Sequence, residues 1–216
     1  MKAQTLRALL DGNYICPVAY RREYEFLIET DNEQAADKWL REINMRLARL
    51  GTDGAFFMTQ QTLSAEDTGR IRDDFQRYRD VYGPAHRMMQ IIRSGKDEFT
   101  LTPGEYIQLA ELNQAINESP TLESQLRGLQ TVIRDGGAKF TNRELLKRLL
   151  EHLRNDGYLV MVNVNTEMYQ TTGKVDQLKS VLTFLAENTD IVGAVADDEE
   201  VTTDLGLFDA EEPNRG

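Results

Sequence analysis

Gly173-Lys174 looks like the end of a phosphate-binding loop, in which backbone amides and a lysine cradle a nucleotide. That motif needs a glycine five residues before its second one, and Met168 stands there, so no nucleotide site is expected. His86 and His152 are the only histidines, and neither belongs to a His-Glu-x-x-His spacing, so no metal site is expected either. The acid pairs Asp73-Asp74 and Asp197-Asp198 lie on polar or tail segments. Paired catalytic carboxylates need a buried cleft to drive their pKa values apart, so these read as solvated. No constellation is left to name as a catalytic centre, and the expectation is a protein that is not an enzyme and carries no cofactor.

What remains is positive charge at intervals. Arg143, Lys147 and Arg154 fall in one sector of a helix at about 100° per residue, with Arg148 and His152 on the adjacent flank. Lys139 precedes that helix and Lys174 follows the segment after it. Such a set suits phosphate contact, each contact releasing counterions and steepening salt dependence. An ordinary solvated face with pairs such as Glu144 to Arg148 is the other reading. Lys38, Arg41, Arg46 and Arg49 offer a weaker patch, interleaved with Asp37 and Glu42.

The net charge of −11 does not exclude nucleic acid, because it is unevenly placed. Residues 190–216 hold nine acids and one arginine, a net of −8, which leaves −3 for the first 189. Cys16 is the single cysteine, so no intrachain disulfide forms, and a reducing compartment with a small buried filler is expected. The first ten residues lack the apolar run of a signal peptide and no later run is long enough to span a bilayer, which predicts a cytoplasmic protein.

The elements that would position these residues follow from periodicity. Helices are predicted over Thr5–Leu10 and Tyr20–Glu29, with a small strand at Tyr14–Cys16 between them. Ala36, Trp39, Leu40, Ile43, Leu47 and Leu50 form one helical stripe ending at Gly51, followed by a strand at Ala55–Met58. Ser64 with Asp67 opens a long charged helix that reaches Ser94-Gly95 and is kinked at Gly83-Pro84. Met88, Met89, Ile91 and Ile92 on it read as core, with a partner interface as the alternative, whereas the apolar surplus around Trp39 and Phe56-Phe57 is a candidate protein interface, with core burial as the other reading. Thr102-Pro103 is predicted to start a helix carrying Tyr106, Ile107, Leu109, Leu112 and Ile116. Ser119-Pro120 starts another through Ile133, and Thr141 or Asn142 caps a third over Arg143–Asn155. A hairpin of strands near Tyr158–Val162 and Met168–Thr171 closes the region.

Residues 47–57 and 150–160 share one grammar: a leucine-bearing helix, Asp-Gly, then an apolar strand. Helix, helix, helix and hairpin is the order of a winged helix, and two copies imply a tandem arrangement. The expected fold is therefore α+β, mainly helical, with short β-hairpin wings. The expected divisions are a first winged helix over 1–63, a helical connector over 64–100, a second winged helix over 101–189 and an acidic tail over 190–216.

Leu9 to Cys16, Tyr24 to Leu27, Ala55-Phe56-Phe57, Asn155 to Tyr158 and Tyr169 to Lys174 together resemble the MksE-type subunits related to MukE, over roughly residues 6–187. That family belongs to the kite proteins of bacterial condensin-like complexes. The resemblance implies a homodimer that binds a kleisin (MksF- or MukF-like), beside a separate SMC-like ATPase (MksB- or MukB-like) that hydrolyses ATP. It implies a nucleoid-associated role in chromosome organisation and segregation or in plasmid defence. A free-standing winged-helix transcription regulator is the alternative, disfavoured by weak, scattered basic charge.

In the acidic tail, Asp204 to Phe208 inserts Leu205, Leu207 and Phe208 among carboxylates, the composition of a segment that orders on binding a partner. The pentapeptide is similar to bacterial sliding-clamp-binding motifs, although Asp204 stands where those usually have glutamine. A disordered tail, or one docking on the assembly itself, is the competing expectation.

Overall fold

Leu6 and Leu9 fall on one stripe of helix α1 (Lys2–Leu10), and both are buried with Thr5. Gly12 stops that helix in a left-handed conformation, φ 76°, with its N–H on the Leu9 carbonyl and the Asn13 N–H on that of Ala8. The computed structural model describes residues 2–62, 85–95, 100–130 and 140–187. The chain divides into a unit over Met1–Leu178 and a second over Lys179–Gly216, and Arg143, Lys147, Arg148, Arg154 and Lys174 belong to the first.

Helices α2 (Arg21–Leu27) and α3 (Thr30–Arg41) follow, then an antiparallel hairpin of β1 (Met45–Arg49) and β2 (Phe56–Gln60). Ile15 adds a bridge to this hairpin by exchanging both backbone hydrogen bonds with Phe56, at 2.8 and 2.9 Å. Leu9, Ile15, Leu27, Leu40 and Phe56 are fully buried together and form the core of this half.

The helix expected to run on to Leu50 ends at Arg41 instead. Asn44 takes a left-handed backbone, φ 60°, which an α-helix cannot continue through. The Leu47 N–H then donates to the Asp37 carboxylate at 2.9 Å, and Met45–Arg49 pairs with Phe56–Gln60 along its whole length. A period-2 partner strand thus outcompetes an apparent period of 3.6, because pairing satisfies every second backbone group of both segments.

The same finding separates the two Asp-Gly sites. Asp53-Gly54 closes a hairpin, and a Cβ on Gly54 would collide with the Leu50 carbonyl oxygen, so only glycine fits. Asp156-Gly157 instead joins a helix to a strand, with Gly157 at φ 81°. The two stretches are alike in letters and differ in structure.

A helical run over 85–94, α4, buries Met88, Met89, Ile91 and Ile92, in accord with a core reading. Gly95 lets it approach the next helix closely, since a Cβ there would lie 2.6 Å from Leu112 Cδ1. The predicted Ser64 cap and the Gly83-Pro84 kink lie outside the described residues.

Next come β3 (Tyr106–Gln108), α5 (Leu109–Glu118), α6 (Pro120–Gly128), α7 (Asn142–Asn155), β4 (Leu159–Asn163), β5 (Met168–Thr171) and α8 (Lys174–Glu187). The three strands form an antiparallel sheet in the order β3-β5-β4. The helix expected from Thr102-Pro103 begins only at Leu109. Gly104, at φ 96°, turns the chain, and the buried Thr171 hydroxyl fixes it by donating to the Thr102 carbonyl at 2.6 Å while accepting from Glu105 N–H at 2.9 Å. Tyr106–Gln108 is thereby delivered to the free edge of β5.

The caps of the second half follow sequence closely. The Ser119 hydroxyl accepts from Leu122 N–H with Pro120 at the first helical position of α6. Thr141 and Glu144 form a reciprocal capping box on α7, whose Leu145, Leu146, Leu149, Leu150 and Leu153 are all buried. Among the described residues the chain runs α1, α2, α3 and the β1–β2 hairpin, then α4, then β3, α5, α6, α7 and the β4–β5 hairpin, with α8 after it. Helix α8 lies beyond the elements expected from periodicity; Val175 and Leu178 in its first turns are buried. Among the described residues, no helix is long and apolar enough to cross a membrane.

Candidate nucleic-acid interface

The exposed sector of α7 that carries Arg143, Lys147 and Arg154 faces the β4–β5 hairpin. Arg143 and Lys147 both bond the carboxylate of Glu167 in the hairpin turn, Lys147 at 2.7 Å. One turn further along, Glu151 accepts from the Tyr169 hydroxyl at 2.8 Å and pairs with Arg154 at 2.7 Å. The row therefore alternates between cations and carboxylates from the helix start to its end.

Electrostatics follow the contacts. The hydrogen bond from Lys147, followed by the nearby charge of Arg143, outweighs slight burial and holds the Glu167 carboxyl below the usual carboxylate range. Burial first, then the bond to Glu151, pushes the Tyr169 phenol well above its ordinary value, so it stays a donor. Arg148, on the other flank, lies over the Phe140 ring at 4.4 Å, a cation–π contact that leaves its charge intact. His152 sits 3.5 Å from Asp156.

Lys174 is placed differently from a wing residue reaching for phosphate. Its ammonium donates to the Asp156 carbonyl at 2.6 Å and lies 4.9 and 5.7 Å from the ring centroids of Tyr158 and Tyr14. Burial lowers its pKa, opposed by the charge of Asp156. Lys139 lies outside the described residues, as do Leu205, Leu207 and Phe208 of the tail. Of the six basic residues named from the sequence on and around α7, the structure thus brings Arg143 and Lys147 to one point, keeps Arg148 and Arg154 along the same helix and turns Lys174 inward.

In the first half, Arg41 and Arg49 are similarly engaged. Arg49 donates to the Tyr24 hydroxyl at 2.8 Å and lies over the Phe56 ring at 4.6 Å, while Arg41 bonds Asp37 at 2.7 Å. Partial burial would raise the Asp37 pKa, but the Leu47 N–H and Arg41 outweigh it and the net shift is downward. Lys38 and Arg46 are exposed. Phe56 lies in the core, and Phe57 stacks on Tyr14 at 5.3 Å.

Glu167 and Tyr169 were missed by sequence reasoning. They stand 24 and 18 residues from their partners Arg143 and Glu151, and only the hairpin's return along α7 connects them. The visible signal was the lone acid in the turn between two apolar strands. His86 is half-buried, and burial, aided by Arg87, lowers its pKa. Among the described residues, no group of three His, Cys, Asp or Glu side chains is placed to hold a metal ion. No protein-family model matches the chain, and comparison with curated proteins also gives no match.

Proposed function

We propose that this chain is a non-catalytic kite-type subunit built on two winged helices, which dimerises, binds a kleisin and contributes DNA contact beside an SMC-like ATPase. The observation that carries this reading is the repeated order of helix, helix, helix and hairpin in the two halves. The stretches that carry the resemblance to MksE-type subunits are structural ones, which supports the architecture in particular. Leu9 to Cys16 builds the bridge to β2, Asn155 to Tyr158 turns α7 into β4, and Tyr169 to Lys174 leads from β5 into α8.

DNA contact in this reading belongs to Arg143, Lys147, Arg148 and Arg154 on α7, with the β4–β5 hairpin as the wing. The pairing of Arg143 and Lys147 with Glu167 and of Arg154 with Glu151 keeps the local field weak. A weak field suits a subunit that meets DNA inside an assembly, and it disfavours a free-standing regulator that must find its site alone. A role at the nucleoid, in chromosome organisation or plasmid defence, belongs to the same proposal.

The test is co-purification of the chain with kleisin-like and coiled-coil ATPase products encoded beside it, with the mass determined by light scattering. A stable complex containing two copies of the chain is expected. A lone chain that binds one duplex sequence tightly and retains neither partner overturns the reading in favour of a regulator.

A further inference from the structure

Arg143 and Lys147 stand one helical turn apart, and both side chains close on a single carboxylate, that of Glu167. Two cations converging on one anion is the arrangement by which proteins hold a phosphate group. The carboxylate is delivered by a built turn. Asn163 accepts from the backbone N–H groups of Asn165 and Thr166 at 2.9 and 3.2 Å, and the Glu167 carbonyl accepts from Leu109 N–H at 3.2 Å. Glu167 itself adopts a left-handed backbone, φ 48°, which costs free energy for a glutamate. Its side chain is 17% exposed, against 54% for Arg143 and 49% for Lys147. The carboxylate is thus less exposed than either cation, and both cations still face solvent.

We infer that Glu167 is an internal competitor for phosphate: it occupies the anion site formed by Arg143 and Lys147, and a DNA backbone engages that site only by displacing the carboxylate. The inference rests on the proposed reading of these two cations as DNA contacts. With Glu167 seated, the pair presents one net positive charge; with it displaced, two. The site consequently discriminates against duplex free in solution and is engaged by duplex held beside it at high effective concentration.

The experiment is fluorescence anisotropy of a labelled mixed-sequence duplex titrated with the full chain over a range of salt concentrations. The proteins are the parent, Glu167→Asn, the Arg143→Ala/Lys147→Ala pair, and the triple variant. Asparagine tolerates the left-handed backbone, so Glu167→Asn keeps the turn, and Glu167→Gln serves as an isosteric second variant. Thermal melting of each confirms that it is folded.

Removing the carboxylate is expected to tighten binding several-fold and to steepen the slope of log affinity against log salt by about one to two, with the triple variant losing both gains. If Glu167→Asn and Glu167→Gln bind no more tightly than the parent while the Arg143→Ala/Lys147→Ala pair binds more weakly, the competitor role is overturned and the DNA reading stands. If none of the variants differs from the parent, or none of the proteins binds duplex, the DNA reading falls and the competitor role falls with it.

Discussion

The backbone N–H of Gly173 donates to the sulfur of Cys16 at 3.2 Å, joining positions 157 residues apart. The same thiol accepts from Ala19 N–H at 3.4 Å, so a cysteine expected only to fill space also serves as an acceptor where the two halves of the first unit meet. The approach depends on glycine, because a Cβ at position 173 would lie 2.8 Å from the Cβ atoms of both Ala55 and Cys16. Gly173-Lys174, which resembled the end of a phosphate-binding loop, is therefore a packing joint.

Gly173→Ala is accordingly expected to lower stability by about 1–3 kcal/mol, the usual cost of overpacking a tight contact. Urea denaturation monitored by circular dichroism measures it. The double variant with Cys16→Gly should recover part of the loss, because it removes one of the two clashing Cβ atoms. A Gly173→Ala protein as stable as the parent would mean that the joint is loose.

Lys174→Met is expected to destabilise the chain while leaving duplex affinity and its salt slope unchanged. The ammonium is committed to the Asp156 carbonyl and lies against Tyr14 and Tyr158, so its charge is spent inside the fold. Parallel melting and anisotropy measurements separate the two effects. A clear loss of DNA binding in a folded Lys174→Met protein would return this residue to the interface.

The carboxyl of Glu167 is expected to titrate below the ordinary glutamate value of 4.5, and Lys147→Ala should move its midpoint upward, since the bond from Lys147 is the largest cause of the shift. Carbon-13 NMR of the side-chain carboxyl measures this. The folded pKa is depressed, so the stabilisation from the clip is present above the unfolded value and is lost as pH falls through the folded one. Acidification below about pH 4.5 should therefore loosen the β4–β5 turn in the parent, and Glu167→Gln should abolish that pH dependence. A midpoint indifferent to Lys147 would contradict the geometry.

Tyr169→Phe removes a hydroxyl that donates to a carboxylate, and a loss of about 1.5–3 kcal/mol is expected for a hydrogen bond to a charged group. The phenol's pKa is raised, chiefly by burial, so the contribution is intact below 10, the ordinary value, and fades as pH rises through the folded value. Ultraviolet titrations of the parent and of Tyr169→Phe should therefore coincide near pH 10 while the fold persists. An unchanged melting temperature in Tyr169→Phe would show that Glu151 is satisfied by Arg154 alone.

Local chemistry makes much of the second half legible in the sequence. Ser119-Pro120 and Thr141 with Glu144 carry capping information within four residues, and the leucines of α7 repeat at intervals that only a helix can bury on one side. The basic residues of α7 are legible as a sector for the same reason, since helix period relates neighbours along one element. The stripe from Ala36 to Leu50 misleads because Leu47 and Leu50 fit a helical period by letters alone. Whether residues 45–49 form helix or strand depends on a partner strand beginning at Phe56. The Tyr106–Gln108 strand likewise exists because β5, far later in the chain, offers it an edge.

The amino-acid sequence by itself determined where helices α1 and α2 lie, where α6 and α7 begin, which residues of α7 are buried, and which of its cations share a sector, because these depend on contacts within a few residues. Only the tertiary structure decided that Arg143 and Lys147 meet Glu167, that Glu151 is held by Tyr169, and that Lys174 turns inward while Gly173 closes on Cys16. Each of those depends on how the hairpin folds back across α7 and how the two halves close on each other, and no short-range periodicity encodes a contact between segments that far apart in the chain.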